Sequence, residues 1–139
     1  MDIKWTGTLP DVSEPFDFSE MMAEAAEYML GSVQENFLYG GRPTAWAEKK
    51  HGRGPSYLIK NGFLLRSIRT KTDKESFKVF TTKGEIPYCF VHQFGYARRN
   101  IPARPYMIFQ EEDRKHIVEM FKDRIINLFQ TKRKALGTQ

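Results

Sequence analysis

Cysteine is almost missing from this chain: there is one, Cys89, in 139 residues. A single cysteine cannot form an internal disulfide, which fits a reducing compartment. Long apolar runs are missing too. None approaches the ~20 residues that a membrane-spanning helix needs. The opening Met-Asp-Ile-Lys-Trp-Thr-Gly has no basic segment followed by an apolar one, so no secretory signal is expected. There is no internal repeat and no low-complexity segment. A phosphate-binding loop is also absent. The nearest piece, Gly52-Arg53-Gly54-Pro55, lacks the Gly-Lys-Ser/Thr ending, and no strand leads into it.

Metal and nucleophile chemistry are equally thin. Cys89 and His92 stand three apart, but zinc needs three or four ligands, and His51 and His116 are distant. A Cys89–His92 nucleophile pair would lack an orienting Asn or Asp. Cys89 therefore reads as a small buried apolar residue, and His92 as locally hydrogen-bonded, for example to a backbone carbonyl. Glu111, Glu112 and Asp113 are adjacent on a helix and point in different directions, so they do not converge on one centre. Pro102-x-x-Pro105 is too short to serve as a polyproline ligand. No catalytic residue, cofactor or metal is expected.

What the chain does have is one domain's worth of ordinary material. Its 40% apolar and 28% charged residues suit a soluble globular protein with a single core, spanning residues 1–139. The charge is unevenly spread. Residues 1–38 carry one base and eight acids, residues 39–74 nine bases and two acids, and residues 75–139 twelve bases and seven acids. A basic middle can face phosphates or an acidic protein surface. The plainer reading is a solvated basic face that offsets the acidic helix of the same molecule.

In chain order, residues 1–15 read as an extended N-terminal arm, broken by Pro10 and Pro15. From Asp17 to Leu38 the apolar residues Phe18, Met22, Ala25 (or Ala26), Met29, Val33 and Phe37 recur at helical spacing and predict a core-facing helix. Asp17 with Glu20 resembles a capping box, and Gly40-Gly41 a stop. Residues 39–62 form a long loop, punctuated by glycine and proline, with Trp46 as its apolar anchor. Residues 42–56 are expected to be poorly ordered or extended in the free protein. Phe63–Thr72 and Glu75–Thr82 then alternate like two strands of a hairpin. A last helix covers about 110–129, with Ile117, Phe121, Ile125 and Leu128 buried, and residues 131–139 form a flexible basic tail.

The densest stretch is Ile86 to Phe109. It holds six of the seventeen Phe and Tyr residues, three of the seven prolines and the single cysteine, which invites an active-site reading. Residue by residue it reads more simply. Pro87 opens a short helix over 87–94 that carries Tyr88, Val91 and Phe94 (or His92) along one side, and Gly95 caps it. Residues 96–100 make a basic loop, and about 104–109 a short strand. The aromatics read as packing, so Phe94 and Gly95 should both be needed for folding.

Three pieces of this chain carry a resemblance: Asn61-Gly62-Phe63-Leu64-Leu65-Arg66-Ser67-Ile68, Tyr88-Cys89-Phe90-Val91-His92-Gln93-Phe94-Gly95, and Ile101-Pro102-Ala103-Arg104-Pro105-Tyr106. Over about residues 17–130 the chain resembles the phage virion morphogenesis family, the tail-completion proteins of Mu-like and related tailed phages. The family pattern is roughly Thr-Gly-x-Leu-x-x-Ser-Ile, Tyr-Ala-x-x-His-Gln-Phe-Gly and Ile-Pro-Ala-Arg-Pro-Phe-Leu. Asn61, Cys89 and Tyr106-Met107 depart from it by size-compatible changes. The structural motif residues are then Gly62, Leu65, Ser67, Ile68, Tyr88, His92, Gln93, Phe94, Gly95, Pro102, Ala103, Arg104, Pro105 and Tyr106. Candidate interaction residues are Arg42, Trp46, Lys49, Lys50, Arg53, Arg98 and Arg99.

The resemblance implies a non-enzymatic structural protein of the virion, made in the bacterial host cytoplasm, that completes the tail and helps join it to the filled head. It also implies a homo-oligomeric ring, hexameric by analogy, whose partners are tail-tube or terminator and head-completion proteins, with non-specific DNA contact as a further expectation and no membrane partner. In a ring, the opposed acidic and basic segments could supply head-to-tail complementarity. The alternative is a basic nucleic-acid-binding module, because arginines interleave with aromatics around Arg98, Arg99, Arg104 and Tyr106, although no helix-turn-helix or single-strand-binding signature accompanies them. The expected fold is α+β: two long helices packed on a small, mostly antiparallel sheet formed by residues 63–82 and about 104–109, with a short connecting helix.

Overall fold

The computed structural model describes residues 2–4, 17–48, 58, 62–82 and 87–135. Its elements in chain order are β1 (Asp2–Lys4), α1 (Ser19–Tyr39), α2 (Phe63–Ser67), β2 (Arg69–Thr72), β3 (Ser76–Phe80), α3 (Cys89–Phe94), a 3-10 turn (Ala97–Arg99) and α4 (Glu111–Ala135). The fold is α+β, with two long helices, as the periodicity predicts. Most of the N-terminal arm and of the stretch 49–61 lies outside the described residues, and with it Asn61 and the turn at 83–85.

Helix α1 is the spine, and it packs against β2, β3 and α4. The stripe Phe18, Met22, Ala25, Ala26, Met29, Val33 and Phe37 is buried throughout, and Met21 joins it. Each large apolar side chain taken from water in this way stabilises the fold by ~1.5–3 kcal/mol. The start of α1 differs from a capping box. Asp17 Oδ1 accepts hydrogen bonds from the Ser19 backbone N–H (2.9 Å) and hydroxyl (2.5 Å), while Glu20 faces Arg124 instead. These two donors hold the Asp17 carboxyl below the usual carboxylate range. At the other end Gly40, with φ 71°, takes the left-handed cap and donates its N–H to Asn36 O.

The sheet has strand order β1–β3–β2 and is antiparallel throughout. Phe77 and Val79 of β3 point inward while Lys78 points out, as alternation requires. Thr70 pairs with Val79, and Ile3 with Phe77. An Asx-type turn closes the hairpin: Asp73 Oδ1 accepts from the N–H groups of Glu75 and Ser76.

Two expectations need correction. Phe63–Ser67 is a helical turn, and the extended chain starts at Arg69. Leu64 and Ile68 share a strand face by parity, but they also stand one helical turn apart, and both are buried. Gly62, with φ 73°, starts the turn by accepting the Arg66 N–H, and the Ser67 hydroxyl donates to Leu64 O. The segment 104–109 is not a strand: its backbone bonds to the His92 carbonyl of α3 and to the side chains of Gln93, Asn36 and Trp46, and not to a neighbouring strand. The third strand is β1, inside the stretch read as an arm.

Helix α4 runs antiparallel to α1. Its faces meet α1 at Ser32–Asp113 near one end and at Glu24–Arg124 near the other. Ile117 and Phe121 are buried, and Ile125 and Leu128 pack half-buried beside them. The helix continues through Ala135, beyond the 129 expected. Nothing from Thr131 to Ala135 breaks a helix, and Arg133 and Lys134 suit its negative end.

Candidate functional site

The stretch 88–110 is built as a clasp that closes on itself and on the end of α1. Helix α3 is short, and its buried face is Cys89, with His92 and Gln93 half-buried beside it. At its end Gly95 takes φ 78°, ψ 168°, a conformation that L side chains rarely adopt, and donates its N–H to Val91 O. A Cβ there would meet Ala103 N at 2.8 Å and Ile101 O at 3.0 Å. The chain then reverses through the 3-10 turn, and Tyr96 and Ile101 exchange two backbone hydrogen bonds of 2.8 and 3.0 Å. This returns residues 101–107 alongside α3, where Arg104 N donates to His92 O at 2.8 Å.

Side chains finish the clasp. Gln93 acts as a surrogate strand: its Oε1 accepts from Tyr106 N (3.1 Å) and Met107 N (3.0 Å), and its Nε2 donates to Met107 O (3.1 Å). The Tyr106 ring is 2% exposed, and its hydroxyl donates to Cys89 O at 2.8 Å. Burial, with Cys89 adding to it, pushes the Tyr106 phenol well above its ordinary range. Arg104 is 8% exposed, and its guanidinium donates to the carbonyls of Ala47 and Glu48. Trp46 is buried, packs edge-on to Phe37 and donates Nε1–H to Pro105 O at 3.1 Å. The beginning of the long loop, residues 40–48, is thereby tied to the motif that follows it by some 57 positions. Gly41 permits this approach, since a Cβ there would lie 2.5 Å from the indole of Trp46.

A second polar cluster, which sequence reasoning missed, anchors the clasp to both long helices. Asn36 is fully buried, and its Nδ2 donates to Tyr106 O at 2.7 Å. Its Oδ1 accepts from Arg42 Nε (3.1 Å) and Gln110 Nε2 (3.4 Å). Arg42 Nη2 donates to the Ser32 carbonyl and hydroxyl oxygens, and Nη1 pairs with Glu35 at 2.9 Å. The Ser32 hydroxyl donates to Asp113 Oδ1 at 2.7 Å. Asp113, 2% exposed, also accepts the Gln110 N–H on Oδ2, so it caps α4 as well as joining it to α1. Tyr28 stacks on His116 with ring centroids 4.0 Å apart, and burial together with Asp113 raises its phenol to about 12. One signal was available: Ser32 and Asn36 are polar residues one turn apart on the same stripe as Met29 and Val33.

Chemically, this arrangement holds backbone. The polar atoms of Gln93, Arg104 and Tyr106, and the Nδ2 of Asn36, are directed at main-chain carbonyls and N–H groups. Cys89 is fully buried. His92 departs from the local hydrogen bond expected of it: its Nδ1 is buried and unpartnered among the described residues, while its ring meets Tyr88 edge-on. Burial, with the Arg104 guanidinium next, holds its imidazolium below the usual histidine range. No group of three or more His, Cys, Asp or Glu that could hold a metal occurs among the described residues. No helix there is long and apolar enough to cross a membrane.

The aromatics of the stretch divide unexpectedly. Tyr106 is core, but Phe90 is 50% exposed and Phe94 73% exposed, and their rings stack at 6.3 Å. Tyr88, Tyr96 and Phe109 are exposed as well. The reading of these aromatics as packing is therefore corrected. Helix α3 needs only Cys89, His92 and Gln93 on its inner face to reach residues 104–107, so positions 90 and 94 turn outward. Pro102 and Pro105 are half-buried, and Ala103, Arg98 and Arg99 are exposed. The motif residues around α2 form a separate contact: Leu64, Ser67 and Ile68 are buried, Leu65 is half-buried, and the Ser67 hydroxyl meets that of Thr81 at 2.7 Å. Of the interaction candidates, Arg42 and Trp46 make the internal contacts described above, and Lys49, Lys50 and Arg53 lie outside the described residues.

Comparison with known proteins bears on this geometry. Residues 4–125 match the model of a family described as the phage virion morphogenesis family. The chain is 35% identical over 108 residues to a protein named Mu-like prophage FluMu G protein 2 from Haemophilus influenzae, covering 74% of this chain and 75% of that protein. It is 38% identical over 64 residues to an uncharacterised protein of Methanocaldococcus jannaschii, covering 43% of this chain and 45% of the other. No solved structure gives a significant match.

Proposed function

This chain belongs to the phage virion morphogenesis family, and from that premise we propose that it acts in tail completion and head–tail joining, as a homo-oligomeric ring, without a catalytic step. Its partners in this reading are further copies of itself, tail-tube or terminator proteins and head-completion proteins. It is made in the host cytoplasm and ends in the virion.

The observation that carries the reading is the way residues 87–109 are used. Gln93, Arg104 and Tyr106 fasten the chain's own backbone, and the stretch presents exposed aromatics where an enzyme would present converging polar groups. Rigid scaffolds with apolar surface left open suit proteins that are covered on assembly.

The test is deletion of the gene in an inducible prophage, followed by electron microscopy of the lysate. The expected outcome is filled heads and separate or over-long tails, with joined particles restored by the gene in trans. Normal joined particles in the deletion would refute the reading. A second reading, a basic nucleic-acid-binding module, draws on Arg98 and Arg99, which lie exposed beside Tyr96 with no ion pair among the described residues. It predicts retardation of generic DNA at low salt that weakens steeply as salt rises.

A further inference from the structure

We propose that the outer face of α3 is one half of the contact between neighbouring copies of this chain, and that the acidic groove between α1 and α4 is the other half. This rests on the ring reading above and deepens it by naming the two surfaces.

The first surface is an aromatic knuckle with a basic rim. Phe90 and Phe94 stand one turn apart on α3, exposed and stacked on each other. The clasp is completed through Cys89, Gln93, Gly95 and the His92 carbonyl, so the fold makes no use of aromatic rings at these two positions. Phenylalanine left in water forfeits the largest part of what its burial would contribute. Just beyond the helix, Arg98 and Arg99 are exposed, and their guanidinium groups make no ion pair among the described residues.

The second surface lies where the N-terminal half of α1 crosses the middle of α4. Glu24, Glu119 and Asp123 line a shallow groove over the half-buried Met120. Arg124 is already taken by Glu24 and Glu20. Glu119 meets only the exposed Lys122, at 3.4 Å, among the described residues, and Asp123 is exposed with no ion pair there. The groove therefore offers carboxylates and an apolar floor to an incoming cation and ring.

The two surfaces cannot meet within one molecule. The knuckle hangs from Tyr106, which packs on Phe37 at 5.2 Å, whereas the groove is centred near Glu24. Those thirteen positions of α1 span ~20 Å at the helical rise. That exceeds two Debye lengths of ~8 Å at physiological salt, so neither surface neutralises the other in the isolated chain. Unlike faces at opposite ends of a rigid helix pair are what a heterologous contact needs, and such contacts close into rings when the rotation permits. An aromatic and basic face could also stack a single strand of nucleic acid, but that would leave the acidic groove without a role.

The test is sedimentation velocity on the full chain. Wild type should sediment as a closed oligomer. Phe94→Asp, Arg98→Glu with Arg99→Glu, and Asp123→Arg should each give monomer with an unchanged circular dichroism spectrum and Tm. Mixing Phe94→Asp with Asp123→Arg should give a dimer and nothing larger, because one intact knuckle and one intact groove remain in the pair. Wild type that stays monomeric, variants that still form the wild-type oligomer, or a mixture that stays monomeric would each overturn the proposal. So would oligonucleotide binding that Phe94→Asp abolishes while assembly persists. If the variants assemble normally but the deletion still leaves unjoined heads and tails, these surfaces are wrong and the joining role stands.

Discussion

Replacing Gly95 with alanine strikes the clasp where it is tightest. The backbone there has φ 78° and ψ 168°, a region essentially restricted to glycine, and holding another residue in it costs ~1–3 kcal/mol. The added Cβ would lie 2.8 Å from Ala103 N and 3.0 Å from Ile101 O. Both are backbone atoms, so no rotamer change relieves the contact. Nor can the segment retreat freely, because Ile101 exchanges two hydrogen bonds with Tyr96 and Arg104 N is bonded to His92 O. Forced overpacking of this kind costs a further ~1–3 kcal/mol. The sum is a large share of the ~5–15 kcal/mol that stabilises an ordinary domain. Urea unfolding followed by circular dichroism measures it, provided the m-value is unchanged. The neighbour is the control: Phe94 is 73% exposed, so Phe94→Ala should cost less than ~1 kcal/mol. A loss below ~1 kcal/mol for Gly95→Ala would refute the strain reasoning. A large loss for Phe94→Ala would refute the placement of that ring in solvent.

Other expectations follow from the same contacts. Gln93→Ala strands the Tyr106 and Met107 N–H groups and the Met107 carbonyl, and should destabilise by ~2–4 kcal/mol in denaturant titration, since each orphaned polar group is expensive. Ser32→Ala and Asp113→Ala should be non-additive in a double-mutant cycle, with a coupling of ~0.5–3 kcal/mol, because each truncates the same buried hydrogen bond. Arg124→Ala should change stability by less than ~1 kcal/mol, as its partners Glu24 and Glu20 are exposed. For His92 the folded pKa lies below the unfolded value of ~6.5. The stability held by the neutral ring is therefore complete above that value and is lost as pH falls through it. Between about pH 7.5 and 5.5 wild type should lose more stability than His92→Leu, and equal losses in thermal melts would count against the assignment.

The two long helices were legible because their evidence is local and repeated. Six apolar residues at helical spacing from Phe18 to Phe37 admit one reading. Phe63–Ile68 admitted two, since Leu64 and Ile68 satisfy both the strand and the helix period, and only their packing chose between them. The third strand was misplaced because Asp2–Lys4 is too short to show a pattern, while 104–109 has the composition of a strand but finds its partners in Gln93, Asn36 and Trp46. The clasp itself was visible as a motif, although its logic was not. Aromatics default to the core in any reading from composition, and Phe90 and Phe94 face outward because a short helix has one inner face, which Cys89, His92 and Gln93 occupy.

The sequence by itself determined the class, the order of the long elements, the buried stripes, and through the His92-Gln93-Phe94-Gly95 and Ile101-Pro102-Ala103-Arg104-Pro105 pieces the family. These are properties of neighbours along the chain. What joins Ser32 to Asp113 across 81 positions, and Asn36 to Tyr106 across 70, was decided by the tertiary structure alone. So were the burial of Arg104 and the exposure of Phe94. A polar or aromatic residue takes its role from what lies opposite it in space, and no local period encodes that.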